Sequence, residues 1–251
     1  MKIFQSTLKS TLLIKEFFHV LGLLGAAYFV YTGMYMYLAV AVLWGMFLVL
    51  VLHEVAMHRY FSHNSFKTNK FWHVFLCLTV PLLNAGSPIS YAIHHRAHHA
   101  HSDTDLDVHA PGLGFWNVAM VRWNYQGVNL KCFTNLKDPW IIAAHRWYFL
   151  IIAAFCGIML MIDPLLLFAY GISCIYTRIC AVSTNYFCHI ALPYFNYRNF
   201  DTKDRSYNNL LNGWLVGGWH NNHHANPSSC TQKVHWWEWD TPALVIRMIK
   251  K

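Results

Sequence analysis

The chain has 251 residues, 56% of them hydrophobic and 17% aromatic, with only 12% charged, about half the roughly 25% charge of an ordinary soluble chain. That balance excludes a disordered chain, a disulfide miniprotein and a coiled coil, and apolar residues gathered in long runs exclude an ordinary soluble domain. The net charge of +8 comes without a dense basic run or a nucleic-acid-binding motif, so anionic lipid or an acidic partner is expected and nucleic acid is not.

The opening segment MKIFQSTLKSTLLIKEFF has no small-residue cleavage site and is read as retained. Residues 17 to 52 contain no Asp, Glu, Lys or Arg. The run is too long for one span of about 20 residues and suits two helices, over about 17–31 and 34–57, turning near Thr32-Gly33. His58-Arg59-Tyr60-Phe61-Ser62-His63 follows as HxxxxH. Residues 71–83 are apolar but too short to span, which predicts a buried or shallow interfacial helix ending at Pro81 and Asn84-Ala85-Gly86-Ser87-Pro88. Next comes His95-Arg96-Ala97-His98-His99, HxxHH, and then Asp138-Pro139, a helix start. A second apolar region over 147–193 is broken at Asp163-Pro164, where Asp suits a cap and Pro a first turn. It predicts spans over about 147–162 and 164–188, with Asn185 and His189 one turn apart at the end of the last. His220-Asn221-Asn222-His223-His224 repeats HxxHH, and Trp236, Trp237 and Trp239 read as an interfacial belt. The expectation is a single domain, 1–251: an all-α integral membrane four-helix bundle of two helical hairpins. A helical cap over about 58–146 and 190–251 holds a histidine-rich dimetal site.

All but one of the 19 Lys and Arg lie in the N-terminal tail, the central segment or the C-terminal tail, and the hairpin tips hold none. By the positive-inside rule both termini and the metal site face the cytoplasm. The exception, Arg178, stands inside the fourth span and calls for a partner that spacing does not name. Seven cysteines without a CxxC pair read as buried reduced thiols.

At this histidine content chance gives about 0.08 HxxHH matches per chain, and two are present. Positions i, i+3 and i+4 share a helix face, so each HxxHH presents three imidazoles together. His58 and His63 lie about 500° apart on an α-helix, so they converge only if the helix ends between them and the chain turns. The second and fourth spans, counted to His58 and His189, are about 37 and 39 Å long, which ends both just outside a core of about 30 Å. Nine neutral imidazoles at one depth suit two first-row metals with open positions; imidazole alone does not name the metal. Glu54, four residues before His58, is placed to accept its second ring N–H, and Asp103 and Asp107 to do so for the second box. His53, His94, His101, His109 and His145 stand near the boxes as further supporting candidates, whereas His19 and His73 read as packing or interfacial residues.

These boxes, in this order and placement, resemble those of the membrane-bound fatty acid desaturases, in particular the stearoyl-CoA and bacterial Δ9-type branch. HRYFSH is similar to the first box of that branch, HHRAHHAHSDTD with Asp107-Val108-His109 to the second, and GGWHNNHHANP to the third. Asn185 with His189 matches its Asn-xxx-His on the last span, and the likeness runs from about residue 40 onward. It implies a four-span bundle under a cytosolic cap, a diiron centre (two Fe ions) and an apolar tunnel for an acyl chain linked to CoA, acyl-carrier protein or lipid. It also implies two electrons from a separate donor, ferredoxin or cytochrome b5. Carried over singly, His58, His63, His95, His98, His99, His189, His220, His223 and His224 become iron ligands, and Asn185 holds a metal through water. The expected activity is dioxygen-dependent insertion of a cis double bond, at position 9. The chain departs from the family's pattern before the third box, at Gly217-Gly218, at Val182 near the place of a common Trp, and after the box at Ser-Ser-Cys-Thr-Gln. A hydroxylase on the same diiron scaffold is the alternative within enzymes. A histidine-rich metal transporter fits less well because its ligands belong near the bilayer midplane, and a zinc hydrolase needs fewer ligands.

Overall fold

The computed structural model describes residues 8–107, 109–120 and 134–251. Its first helix, α1 (Leu8–Thr32), begins well before the apolar run, because polar residues as far back as Lys9 continue the same helix. Gly33, at φ +72°, turns the chain into α2 (Tyr35–Phe47). There is no break after α2. Over Leu48–Ser62 the helix widens to π winding, in which each N–H reaches back five residues instead of four. The two stretches together form one apolar rod, Tyr35–Ser62.

After that rod come α3 (Lys70–Thr79), a 3-10 turn at Val80–Leu83, and α4 (Pro88–His101), the last two meeting at a 77° bend. The short α5 (Phe115–Ala119) follows. Helix α6 (Pro139–Arg146) starts where Asp138 accepts the N–H groups of Trp140 and Ile141. Then come α7 (Tyr148–Ile162) and α8 (Leu165–Asn185), separated by Asp163, which accepts the Leu165 N–H. A 3-10 turn at Phe187–His189 extends α8. The last part of the chain holds an antiparallel pair, β1 (Asn196–Tyr197) and β2 (Asn208–Asn209), then α9 (Leu210–Val216), α10 (His220–Ala225) and α11 (Thr241–Ile249). The described residues are thus mostly helical, with one small strand pair among them that the all-α expectation lacked.

Among the described residues, three helices are long and apolar enough to cross a membrane unaided: Thr11–Thr32, Tyr35–Ser62 and Leu165–His189. The expected span over 147–162 is different. Its helix α7 has 15 residues, about 22 Å against a hydrocarbon core of about 30 Å. It reaches spanning length only together with α6, from which it bends by 70°. The expected interfacial helix over 71–83 likewise forms a bent pair with α4. Outward faces carry Leu13, Phe17 and Leu24 of α1, Leu43 of α2, and Met161 and Ile162 of α7, all exposed; this surface suits lipid, and the chain is a membrane protein.

Helix α8 is the centre of the bundle, with α1 and α2 both against it. Small residues set the contact distance, as expected where packing rather than the hydrophobic effect joins helices in lipid. A Cβ on Gly22 would lie 2.4 Å from the Gly171 carbonyl group, and one on Gly45 would lie 2.9 Å from the Tyr176 side chain. The Ser173 hydroxyl of α8 donates to the Ala41 carbonyl of α2 at 2.8 Å. Arg178 finds its partner here: its Nη1 donates to Glu16 of α1 at 2.6 Å, and its Nε to the Ala119 carbonyl at 2.8 Å. Among the described residues six cysteines are free thiols, buried or half-buried; Cys132 lies outside the described residues.

Above the bundle, Arg59 is fully buried in the π segment. It donates to Asp240, to the Cys230 carbonyl and to the Gly217 carbonyl at 2.9 to 3.2 Å. The rod is thereby tied to the C-terminal segment, whose helix α11 packs on it through Ile246.

Replacing Gly22 with Leu forces α1 away from α8 and should cost about 1–3 kcal/mol or more, read as a lower unfolding midpoint in detergent. Gly157, whose Cβ would meet nothing within 4 Å, is the control: Gly157→Ala should leave the midpoint unchanged or raise it slightly.

Candidate metal centre

Four separate segments supply histidines to one buried region. In the π segment the His63 N–H donates to the His58 carbonyl at 3.1 Å, which stacks residues five apart on one face, and their rings lie 5.1 Å apart. The expectation that the helix must end between them is corrected by this winding. Helix α4 is started by the Ser87 hydroxyl, which accepts the Ser90 N–H, and by Pro88 in its first turn. Its last turns then present His95, His98 and His99 on one side. The turn Phe187–His189 delivers His189, so Asn185 closes the α-helix and His189 sits one turn beyond it in 3-10 geometry. Helix α10 carries His220, His223 and His224.

Their nitrogens fall into two groups, each with all ligand atoms within 4.8 Å of one another. One contains His58, His63, His95, His99 and His223, and the other His98, His189, His220 and His224. The groups adjoin, with the His99 and His224 rings 4.4 Å apart. Nε2 atoms face each other at 2.9 Å for His58 and His223, 2.7 Å for His63 and His95, 2.8 Å for His223 and His99, and 2.7 Å for His189 and His220.

The opposite ring nitrogens explain why Nε2 points inward. Nδ1 of His58 meets Glu54 at 3.0 Å, that of His98 meets Asp107 at 2.9 Å, that of His189 meets Asp103 at 3.1 Å, and that of His224 meets Asp204 at 2.8 Å. A carboxylate accepting from Nδ1–H fixes the tautomer and leaves the Nε2 lone pair facing the interior. Asp103 therefore serves the last-span histidine and not the second box. Asp204 had no signal in the sequence: it lies in a loop twenty residues before its partner, in no recognisable motif. His53 shares the Glu54 carboxylate and takes the Tyr91 hydroxyl on its other nitrogen at 2.8 Å. His109 stacks on His98 at 4.2 Å, whereas His145 meets the Ser87 hydroxyl that caps α4. His73 is more than packing, since it bridges the Tyr60 hydroxyl and Asp138.

The carboxylates are themselves anchored. Asp107 accepts the backbone N–H groups of Asp103 and His109, Asp103 that of Arg205, and Asp204 that of Ser206. Burial among like imidazoles holds His220, His223 and His224 well below the ordinary histidine value, and burial pushes His109 down to about 4. Burial would raise the Asp103 carboxyl, but the His189 hydrogen bond holds it below its usual value. The two asparagines between the third-box histidines fasten the helix. Asn221 accepts the N–H groups of Asn199 and Phe200, and Asn222 donates to the Gln232 carbonyl and to Glu238.

The donor set fits two metal ions. Nine neutral nitrogens converge without a sulfur ligand, which suits first-row metals such as iron. Nε2 of His98 and of His224 are buried without a hydrogen-bond partner, a cost of about 1–3 kcal/mol each that a bound cation removes. Beside the ligand groups lies a cavity of about 100 Å³, partly open to the surface, between α1, the π segment, α4 and α8. Asn185, His53 and Tyr91 line it, with Val49, Val182 and Val216 among its apolar walls.

The family model described as Fatty acid desaturase matches residues 32–241. The chain is 31% identical over 214 residues to the sn-1 stearoyl-lipid 9-desaturase of Anabaena variabilis, covering 78% of this chain and 74% of that protein. It is 29% identical over 214 residues to the Delta-9 acyl-lipid desaturase 1 of Arabidopsis thaliana, covering 78% and 67%. Against the Acyl-CoA 5-desaturase AL21 of Anemone leveillei it is 27% identical over 208 residues, covering 78% and 63%.

Changing Asp204 to Asn keeps the shape of the side chain but removes the charge that orients His224. Metal affinity should fall about 10- to 100-fold, measured as iron retained per chain against a graded chelator. Unchanged retention would show that His224 is oriented without Asp204.

Proposed function

The chain belongs to the fatty acid desaturase family, oxidoreductases acting on fatty acyl chains, and from that premise we propose that it inserts a cis double bond at position 9 of a saturated acyl chain. The observation that carries this reading is the pairing of two imidazole groups, each tied outward to carboxylates, with an apolar cavity at their side. Two iron ions held by His58, His63, His95, His98, His99, His189, His220, His223 and His224, with Asn185 reaching one of them through water, would supply the oxidising power to take hydrogen from an unactivated methylene when dioxygen and electrons are provided. The reaction balances as one –CH2–CH2– unit, one dioxygen, two electrons and two protons giving –CH=CH– and two waters. Position 9 is supported by the names of the two acyl-lipid relatives, while the 5-desaturase shows that similar chains act elsewhere.

The residues of the chain do three things in this scheme. Carboxylates 54, 103, 107 and 204 keep four of the imidazoles in the ligating tautomer. Val49, Val182 and Val216 offer the acyl chain a dry wall and keep bulk water from the methylenes. The basic cap, outside the spans, attracts an acidic electron donor such as ferredoxin or cytochrome b5 by long-range steering. The same positive charge orients the protein with both termini and the metal centre towards the cytoplasm.

The test is the fatty-acid profile of cells expressing the chain, with bond position assigned by mass spectrometry and a His223→Ala variant as control. A new cis-9 monounsaturated acid, absent from the control, is the expected result. A hydroxy acid in its place overturns desaturation, and a bond at position 5 overturns the regiochemistry alone. Orientation is read separately: a C-terminal tag should resist protease in sealed right-side-out membrane vesicles and be cleaved once they are opened.

A further inference from the structure

The two imidazole groups do not have the same surroundings. In the group of His98, His189, His220 and His224, three rings pass Nδ1–H to a carboxylate: His98 to Asp107, His189 to Asp103 and His224 to Asp204. None of these carboxylates pairs with a Lys or Arg side chain among the described residues. In the group of His58, His63, His95, His99 and His223, only His58 has a carboxylate, Glu54, among the described residues, which include every Asp and Glu of the chain. Glu54 is also shared: it meets His53 at 3.0 Å and lies 3.8 Å from the Arg59 guanidinium. Arg96, which donates to the Ser62 and Phe61 carbonyls, puts a second positive charge beside His63. Burial sharpens the contrast, since His98, His189 and His220 are buried whereas His63, His95 and His99 are half-buried. A dication among three unneutralised carboxylates, away from water, gains more than one beside a single shared carboxylate.

The ring protons divide the groups in the same way. A histidine that gives Nδ1–H to a carboxylate turns the Nε2 lone pair inward. The two ligand nitrogens buried without a hydrogen-bond partner, Nε2 of His98 and of His224, both belong to the carboxylate-backed group. In the five-nitrogen group every Nε2 faces another: His58 and His99 face His223, and His63 and His99 face His95, at 2.7 to 3.1 Å. Two nitrogens at that distance share a proton, so one ring of each pair must carry it on Nδ1 instead before both can ligate. The carboxylate-backed group has one such pair, His189 and His220 at 2.7 Å.

We infer that the ion held by His98, His189, His220 and His224 binds first and more tightly, and that the site of His58, His63, His95, His99 and His223 fills second. The inference rests on the reading of the nine imidazoles as a two-ion centre. The fifth imidazole adds a donor to the second site but neutralises no charge there. A protein supplied with one equivalent of metal holds it in the carboxylate-backed group, and the two-ion state appears only as the weaker site fills. Occupancy of that weaker site therefore sets how much of the protein carries both ions.

The experiment is a titration of the full-length, metal-stripped protein in detergent with Co2+, followed by the visible bands of the bound ion and by competition with a graded chelator. The unmodified protein should take up two equivalents in two steps, the first at least about ten-fold tighter, the low end of what outer carboxylates contribute. His63→Ala should keep the tight step and lose the second, and His220→Ala should lose the tight step. Two equivalents bound in a single step by the unmodified protein overturn the inference without recourse to any variant. So does a tight step lost in His63→Ala and kept in His220→Ala. If both alanine variants lose all binding, the charge variants decide: Asp107→Asn should weaken the first step alone and Glu54→Gln the second alone, and any other pattern overturns the order. No acyl chain, oxygen or electron donor is present, so failure of desaturation leaves this readout intact. If the unmodified protein takes up no cobalt, the two-ion reading itself fails, and the order fails with it.

Discussion

Nine neutral imidazoles can be buried together only if each keeps its lone pair directed inward, and the hydrogen bonds from Nδ1 to carboxylate impose that condition on four of them. Much of the cap exists to hold those carboxylates still. Asp103, in the left-handed region at φ +62°, is clasped by the Arg205 N–H, and Asp107 by two backbone N–H groups. The loop after β1 curls on itself so that Asp204 accepts from Thr202 and Ser206 while facing His224. Loosening any of these would let a ring turn over, and a turned ring offers an N–H where a cation needs an electron pair.

The bundle beneath is built to a different rule. Its helices meet at glycines, where Gly22 and Gly171 touch backbone to backbone, and its polar groups are paired across helices, as with Ser173 and Ala41 or Arg178 and Glu16. Close packing along the first half of α8, at Gly171, and an open cavity beside its second half, at Thr177–Asn185, are complementary. Rigid contacts to α1 and α2 allow α8 to carry Asn185 and His189 at its end without the cavity collapsing. Arg59 performs the corresponding task above, joining the first box to both flanks of the third, through the Gly217 carbonyl before it and through Asp240 and the Cys230 carbonyl after it.

What could be read from the sequence was what depends on neighbours in the chain. The boxes on α4 and α10 follow from i, i+3, i+4 spacing, the turn at Gly33 from its freedom at positive φ, and the starts at Asp138 and Asp163 from capping chemistry. The acid that serves His58 was legible because it lies one turn away, and Asp107 because it follows its partner closely. Asp204, the true partner of Asp103 and the acid beside Arg178 were not, since each contact joins residues far apart in sequence or lying in loops without a periodic pattern. The short α7 escaped for another reason: hydropathy measures how apolar a stretch is and says nothing of the bend at Trp147 that divides it from α6.

The π winding at Leu48–Ser62 has a bearing on how such motifs are recognised at all. Two donors separated by four intervening residues look incompatible with a common helical face, and a search tuned to separations of three or four would discard them. With five-residue hydrogen bonding the pair His58 and His63 becomes the equivalent of a pair four apart on an ordinary helix. The number of letters between two ligands is therefore a record of local winding as much as of coordination. One residue gained or lost between them, with a matching change of pitch, exchanges one spelling of the motif for another and leaves the same pair of rings side by side.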